Sequence, residues 1–125
     1  MSDFRTDFAD TVGKFVDISG QNYRQNEPWA PAIITKEQID EEVERLASIA
    51  LPENGRRSSL IVHPRANAQS PGLATSVQVT LNVLKPGERT EPFRHNATEV
   101  NFCIRGEGVA NVGGRRIPFR QYDVY

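Results

Sequence analysis

The chain has 125 residues, of which 38% are hydrophobic and 25% charged, which is the composition of one ordinary globular domain. Fifteen Lys and Arg against sixteen Asp and Glu give a net charge of -1, so there is no broad basic field for nucleic acid or an anionic membrane. The opening residues carry acidic side chains and no long apolar run, which predicts a cytoplasmic protein without a signal peptide or membrane span.

The N-terminal residues predict an amphipathic helix followed by a connector. Apolar side chains recur at helical spacing between Phe4 and Phe15, with polar residues between them, and the pattern ends before Ser19. The stretch QNYRQNEPWAPA that follows contains two prolines and predicts an extended segment, which packing of the Trp29 side chain would hold in place.

A second helix is predicted over residues 36–50. Thr35 and Gln38 have the spacing of a capping box at its start, and Pro52 stops it. The apolar positions that share one face of this helix are Ile39, Val43, Leu46 and Ala50.

Beyond the loop PENGRR the pattern changes to short β runs. Strands are predicted over residues 59–63, 74–84, 100–104, 108–112 and 116–119, separated by glycine and proline turns. A complete jelly roll needs about eight strands, so we expect an incomplete barrel whose missing strands come from a longer chain or a partner subunit.

The predicted organisation is therefore a helical arm and connector over residues 1–55, followed by the N-terminal part of a β-barrel over residues 56–125. The arm is expected to pack against the domain or to form subunit contacts.

The segment PGERTEPFRHNATEVNFCIRGEGVANVGGRR, over residues 86–116, contains the most specific pattern in the chain. Its spacing is a glycine, five residues, two positions separated by one residue, three residues, a glutamate, six residues and a glycine. This resembles the first cupin motif, with His95 at the second histidine, Glu99 at the glutamate and Phe93 where the first histidine stands. The pieces RRSSLIVHP, LNVLKPGE and FRHN are similar to gentisate 1,2-dioxygenases and their hydroxynaphthoate and salicylate relatives.

This resemblance implies a mainly β fold, the cupin-type double-stranded β-helix or jelly roll, incomplete in this chain and preceded by an N-terminal helical arm. It implies cleavage of a hydroxylated aromatic acid by Fe(II) and O2 in a homo-oligomer. His95 would be a metal ligand, Glu99 a ligand or an acid-base group, and the family's last histidine would follow Tyr125.

The spacing has a physical meaning of its own. Positions 93 and 95 of one strand face the same side, while Arg94 faces away. Glu99 follows after a tight link, and a third imidazole from a later strand would complete a facial metal site with open positions. Phe93 has no lone pair for a metal, so the sequence leaves His95 and Glu99 as the predicted metal ligands.

Three side chains are predicted to contact the substrate. Phe93 either fills the core or forms the wall of an aromatic-binding pocket. An arginine fork suits the carboxylate of an aromatic acid, and Arg57 is preferred because the resemblance includes the pair Arg56 and Arg57. Arg94, considered together with Arg89, is the third candidate.

The sequence also allows other hypotheses about function. The chain is alternatively a metal-free or catalytically degenerate cupin that binds a small acidic or aromatic ligand, or the structural half of a bicupin. Metal-free isomerase-like chemistry would need a proton-transfer pair, for which His95 with Tyr122 or Tyr125 is the candidate. His63 is not expected to join the site, and Cys103 is expected to be buried as a small hydrophobic residue.

Overall fold

The computed structural model describes residues 12–21, 29–68, 71–74 and 76–125. The elements within these ranges are helix α1 and strands β1 to β4, in the order α1 Lys36–Ser48, β1 Arg57–Ile61, β2 Val79–Val83, β3 Glu107–Val112 and β4 Arg115–Arg120. β1 pairs with β2 and β3 pairs with β4, so the described residues form two two-stranded sheets and one helix. The prediction of a mainly β chain is confirmed at this level.

The chain forms two compact units. The first consists of Met1–Leu46 and Ser58–Asn82, and the second of Ala47–Arg57 and Val83–Tyr125. Each unit therefore combines two separate stretches of sequence.

Helix α1 begins with the predicted capping box. Gln38 N donates to Thr35 Oγ1 at 3.2 Å, and Thr35 N donates to Gln38 Oε1 at 2.9 Å. Two backbone donors of the first turn are thereby satisfied. Leu46, from the apolar face, is 1% exposed, whereas Ala50 lies beyond the end of the helix at Ser48 and is exposed.

The helix predicted between Phe4 and Phe15 is not present in the part of it that the structure describes. Residues 1–11 lie outside the described ranges, and residues 12–18 have no helical structure. Gly13 and the β-branched residues around it have low helix propensity. Asp17 also accepts a hydrogen bond from Ser19 N at 2.8 Å, a local contact that competes with helical backbone pairing.

The predicted strand over residues 74–84 is shorter in the structure. Only Val79–Val83 forms β2, because Ser76 has a φ of 63° and Val77 N donates to Ala74 O in a tight turn. The predicted strand over residues 100–104 is reduced to an isolated bridge between Phe102 and Val124.

The β3–β4 hairpin agrees with the predicted strands within a residue. Gly113 and Gly114 join the strands with φ of 55° and 78°, the pair of positive values that a type I′ turn requires. A Cβ on Gly108 would lie 2.7 Å from the Phe119 ring, so that glycine makes room for the aromatic side chain. Phe119 in turn stacks on Tyr125 at 4.6 Å.

Few apolar side chains are buried among the described residues. Leu46 and Cys103 are the buried apolar ones, while many large apolar side chains are exposed, including Phe102 at 58% and Val100 at 74%. Of the helical residues described, none belong to a segment with the length and apolarity needed to cross a bilayer.

Candidate functional site

The residues of the cupin-like pattern lie together in the second unit. The Phe93 and His95 rings stack with centroids 5.2 Å apart, and His95 Nε2 lies 2.8 Å from Glu99 Oε2. The predicted strand at positions 93 and 95 is absent, since residues 91–100 have no strand structure. Pro92 has no N–H for a sheet ladder, which disfavours a strand at this place. The two rings nevertheless meet.

The polarity of the His95 to Glu99 contact follows from the groups involved. An ionised carboxylate only accepts hydrogen bonds. His95 Nε2 therefore carries a proton and donates a hydrogen bond to Glu99 Oε2. In the neutral imidazole, Nδ1 then holds the lone pair. The side chains are partly open to solvent, at 36% for His95 and 49% for Glu99.

The same two atoms have a spacing that suits a shared metal ion. Two donors at about 2.1 Å from one ion and at a right angle lie about 3 Å apart, close to the separation of His95 Nε2 and Glu99 Oε2. Within the described ranges, no group of three or more His, Cys, Asp or Glu side chains is positioned to hold a metal. The described residues therefore bring together two side chains that can bind a metal, His95 and Glu99, and no third one beside them.

His63 does not offer a further ligand. It is 6% exposed, its Nδ1 accepts a hydrogen bond from Arg65 N at 3.0 Å, and its Nε2 lies 2.7 Å from Ala30 O. Both ring nitrogens are thus engaged, with the proton on Nε2 because a carbonyl oxygen only accepts. Trp29 stacks on the ring with centroids 4.8 Å apart. Within the first unit, this histidine therefore contacts two residues of the predicted connector, Trp29 and Ala30.

The arginines proposed to bind a carboxylate have different surroundings. Arg57 is 4% exposed and forms an ion pair with Glu88. Its Nε and Nη2 both donate to Ile49 O at 3.2 Å. Arg94 is exposed, and so is Arg89.

A contact between Arg56 and Phe93 was missed by the sequence analysis. The Arg56 guanidinium carbon lies 3.9 Å from the centroid of the Phe93 ring, a cation–π geometry. The sequence indicates Arg56 only as a neighbour of Arg57 in a pair suited to a carboxylate. No local pattern indicates a contact between residues so far apart in sequence.

The two tyrosines that are candidates for proton transfer with His95 both stack on phenylalanine rings. Tyr122 stacks on Phe102 at 6.2 Å, and Tyr125 on Phe119 at 4.6 Å. Burial, together with the charges of Cys103 and Glu99, raises the pKa of Tyr125 above its usual value. Tyr125 therefore stays protonated at neutral pH.

Cys103 is buried at 9% exposure, as predicted. Its thiol donates to Arg105 O at 3.3 Å and to Gly106 O at 3.6 Å. These contacts place the thiol in a structural role.

Comparison with known proteins gives no match to a family model, a curated protein or a solved structure.

Proposed function

We propose that the chain carries the metal-binding part of a gentisate 1,2-dioxygenase-like cupin, which cleaves the ring of a hydroxylated aromatic acid with Fe(II) and O2. The observation that supports this most is the 2.8 Å approach of His95 Nε2 to Glu99 Oε2, at the two positions where the motif resemblance expects ligands. The same proposal includes the fold, a cupin-type jelly roll of which this chain forms only a part.

In this proposal His95 and Glu99 would be two of the metal ligands, and a third protein ligand would come from outside the described residues. Bound ferrous iron would supply a path for electrons between the aromatic diol and dioxygen. Phe93 provides an apolar wall beside the pair, since its ring is 56% exposed and stacks on His95. Coordination through His95 Nε2 would place the imidazole proton on Nδ1.

The test is the metal content of protein purified without oxygen or chelator, measured by elemental mass spectrometry. We expect about one iron per chain, as for a site with three protein ligands. His95→Ala should abolish iron binding, and Phe93→His should strengthen it by adding an imidazole beside His95. Iron that stays absent after a ferrous soak, or binding unchanged by His95→Ala, would refute the metal site.

A second candidate function is a metal-free cupin that binds a small aromatic acid or serves as the structural half of a bicupin. The specific observation in its favour is Phe93. Its side chain has no atom that can bind a metal, and its ring contacts Arg56 and His95. Cation and aromatic ring together suit an aromatic anion.

Thermal unfolding in metal-free buffer distinguishes this second function. A ligand that binds the folded chain raises the melting temperature by mass action, so salicylate at saturating concentration should raise it. A melting temperature that does not respond to a panel of aromatic acids would count against binding.

A cytoplasmic homo-oligomer is part of the same proposal. Exposed large apolar side chains in the described ranges, such as Val100 and Phe102, support a partner subunit that covers them. Light scattering coupled to size exclusion should give a mass above that of one 14.0 kDa chain.

A further inference from the structure

Two consecutive arginines at the start of the β region differ in their availability to a ligand. Arg57 is 4% exposed, with its guanidinium shared between Glu88 and the carbonyl oxygen of Ile49. Turning Arg57 toward a ligand would leave a largely buried carboxylate and a carbonyl without their partner, at a high energetic cost. Arg57 is therefore committed to the fold.

Arg56 is only partly buried, and its side chain makes fewer hydrogen bonds than that of Arg57. Its Nη2 donates to Glu91 O at 2.8 Å, and its central guanidinium carbon lies 3.9 Å from the centroid of the Phe93 ring. A guanidinium has five N–H donors in a planar fork, so one bond to Glu91 leaves the geometry for a bidentate carboxylate.

The backbone around Arg56 holds it in this position. Asn54 Oδ1 accepts from Arg56 N at 3.0 Å, and Asn54 O accepts from Glu91 N at 2.9 Å. Asn54 thus links the segment carrying Arg56 to the one carrying Phe93. A side chain that is already ordered loses less freedom on binding, which favours affinity.

The surroundings of Arg56 also suit the remainder of an aromatic acid. Phe93 is 56% exposed, and the partly exposed His95 ring lies next to it. A ligand whose carboxylate meets Arg56 would have its own ring beside these two side chains, where aromatic contacts add to the charged hydrogen bonds.

We propose that Arg56, and not Arg57, is the residue that selects the carboxylate of the ligand. This rests on the proposed binding of an aromatic acid in either of its forms, with or without iron. Arg56 acts as a specificity-determining residue, while Arg57 fixes the strand beside it.

The experiment compares salicylate with salicylamide, its uncharged amide, by equilibrium dialysis in metal-free buffer. Wild-type protein, Arg56→Gln, Arg56→Lys and the control Arg115→Gln, at an exposed position of β4, are titrated with both. We expect Arg56→Gln to weaken salicylate binding about tenfold or more and to leave salicylamide unchanged. Arg56→Lys keeps the charge without the fork, so it should give an intermediate loss.

Three outcomes would overturn the inference while the proposed function survives. The first is wild-type salicylate affinity in Arg56→Gln. The second is an equal loss for salicylate and salicylamide in folded Arg56→Lys, which would indicate a structural role. The third is an effect of Arg115→Gln as large as that of Arg56→Gln. Failure of the wild-type chain to bind either compound would instead reject aromatic-acid binding itself, and the inference with it.

Discussion

Arg57 and Glu88 form an ion pair that is largely withdrawn from water, with side-chain exposures of 4% and 15%. The Arg57 guanidinium, together with Lys85 N, which donates at 2.7 Å, holds the pKa of Glu88 below its usual value. The pair joins the start of β1 to the beginning of the cupin-like pattern.

Replacing Glu88 by Gln should lower the melting temperature at neutral pH, because Arg57 keeps its charge and loses its counterion. A lowered carboxyl pKa in the folded chain contributes stability that is complete above the ordinary value of 4.5 and lost as pH falls through the lowered pKa. The difference between wild type and Glu88→Gln should therefore be largest near pH 7 and shrink toward about pH 3.

Thermal unfolding followed by circular dichroism at both pH values checks this. Glu91→Gln is the matched control, because Glu91 takes part in this region through its backbone carbonyl and N–H. A difference between wild type and Glu88→Gln that is the same at both pH values would contradict the assignment.

Gly55 and Gly87 provide a matched pair for backbone strain. Both have positive φ, at 74° and 81°, but a Cβ on Gly55 would lie 2.1 Å from Arg89 O, whereas one on Gly87 would meet nothing within 4 Å. Gly87→Ala should cost about 1–2 kcal/mol for the left-handed backbone alone. Gly55→Ala should cost about 1–3 kcal/mol more, because the Arg89 carbonyl must move.

Urea unfolding of the two variants gives this difference directly. Equal losses in the two would show that the close approach at Gly55 is relieved without cost. A stabilised Gly87→Ala would show that the backbone at this turn is not left-handed in solution.

Leu46→Ala should lower the free energy of unfolding by about 2–5 kcal/mol, because it removes a fully buried side chain and leaves a cavity. Glu44→Ala, at an exposed position of the same helix, is the control and should change stability by less than about 0.5 kcal/mol. The midpoint of chemical unfolding measures both, and a loss in Leu46→Ala no larger than that in the control would be inconsistent with burial of the leucine.

If the dioxygenase proposal holds, Glu99→Gln should weaken ferrous iron binding about tenfold to a hundredfold, because the amide no longer supplies a charged oxygen next to His95 Nε2. Anaerobic titration with ferrous iron measures the affinity. Glu107→Gln, at an exposed position of β3, should leave it unchanged. Equal affinities in wild type and Glu99→Gln would remove the carboxylate from the proposed ligand set.

The features that could be predicted from sequence are those made by near neighbours. Thr35 and Gln38 are three positions apart and form the predicted cap, and the Gly113 and Gly114 turn fixes the β3–β4 hairpin. Phe93 also meets His95 although the strand that was expected to align them is absent.

The contacts that sequence reasoning could not provide join distant segments. Arg57 and Glu88 are 31 positions apart, and the Arg56 guanidinium reaches a phenylalanine on a different loop. Periodicity describes one face of one element and does not indicate which of two adjacent arginines turns inward. Burial and interaction partners distinguish the two arginines, and neither can be obtained from periodicity.

The stacking of Trp29 on His63 gives the molecule a local optical reporter. The chain has one tryptophan, so emission excited selectively from indole originates beside His63, in the first compact unit. Far-ultraviolet dichroism instead averages over the backbone of both units. Superimposable unfolding transitions from the two signals would mean that the units melt as a single cooperative system, and separated transitions that the first unit has its own stability.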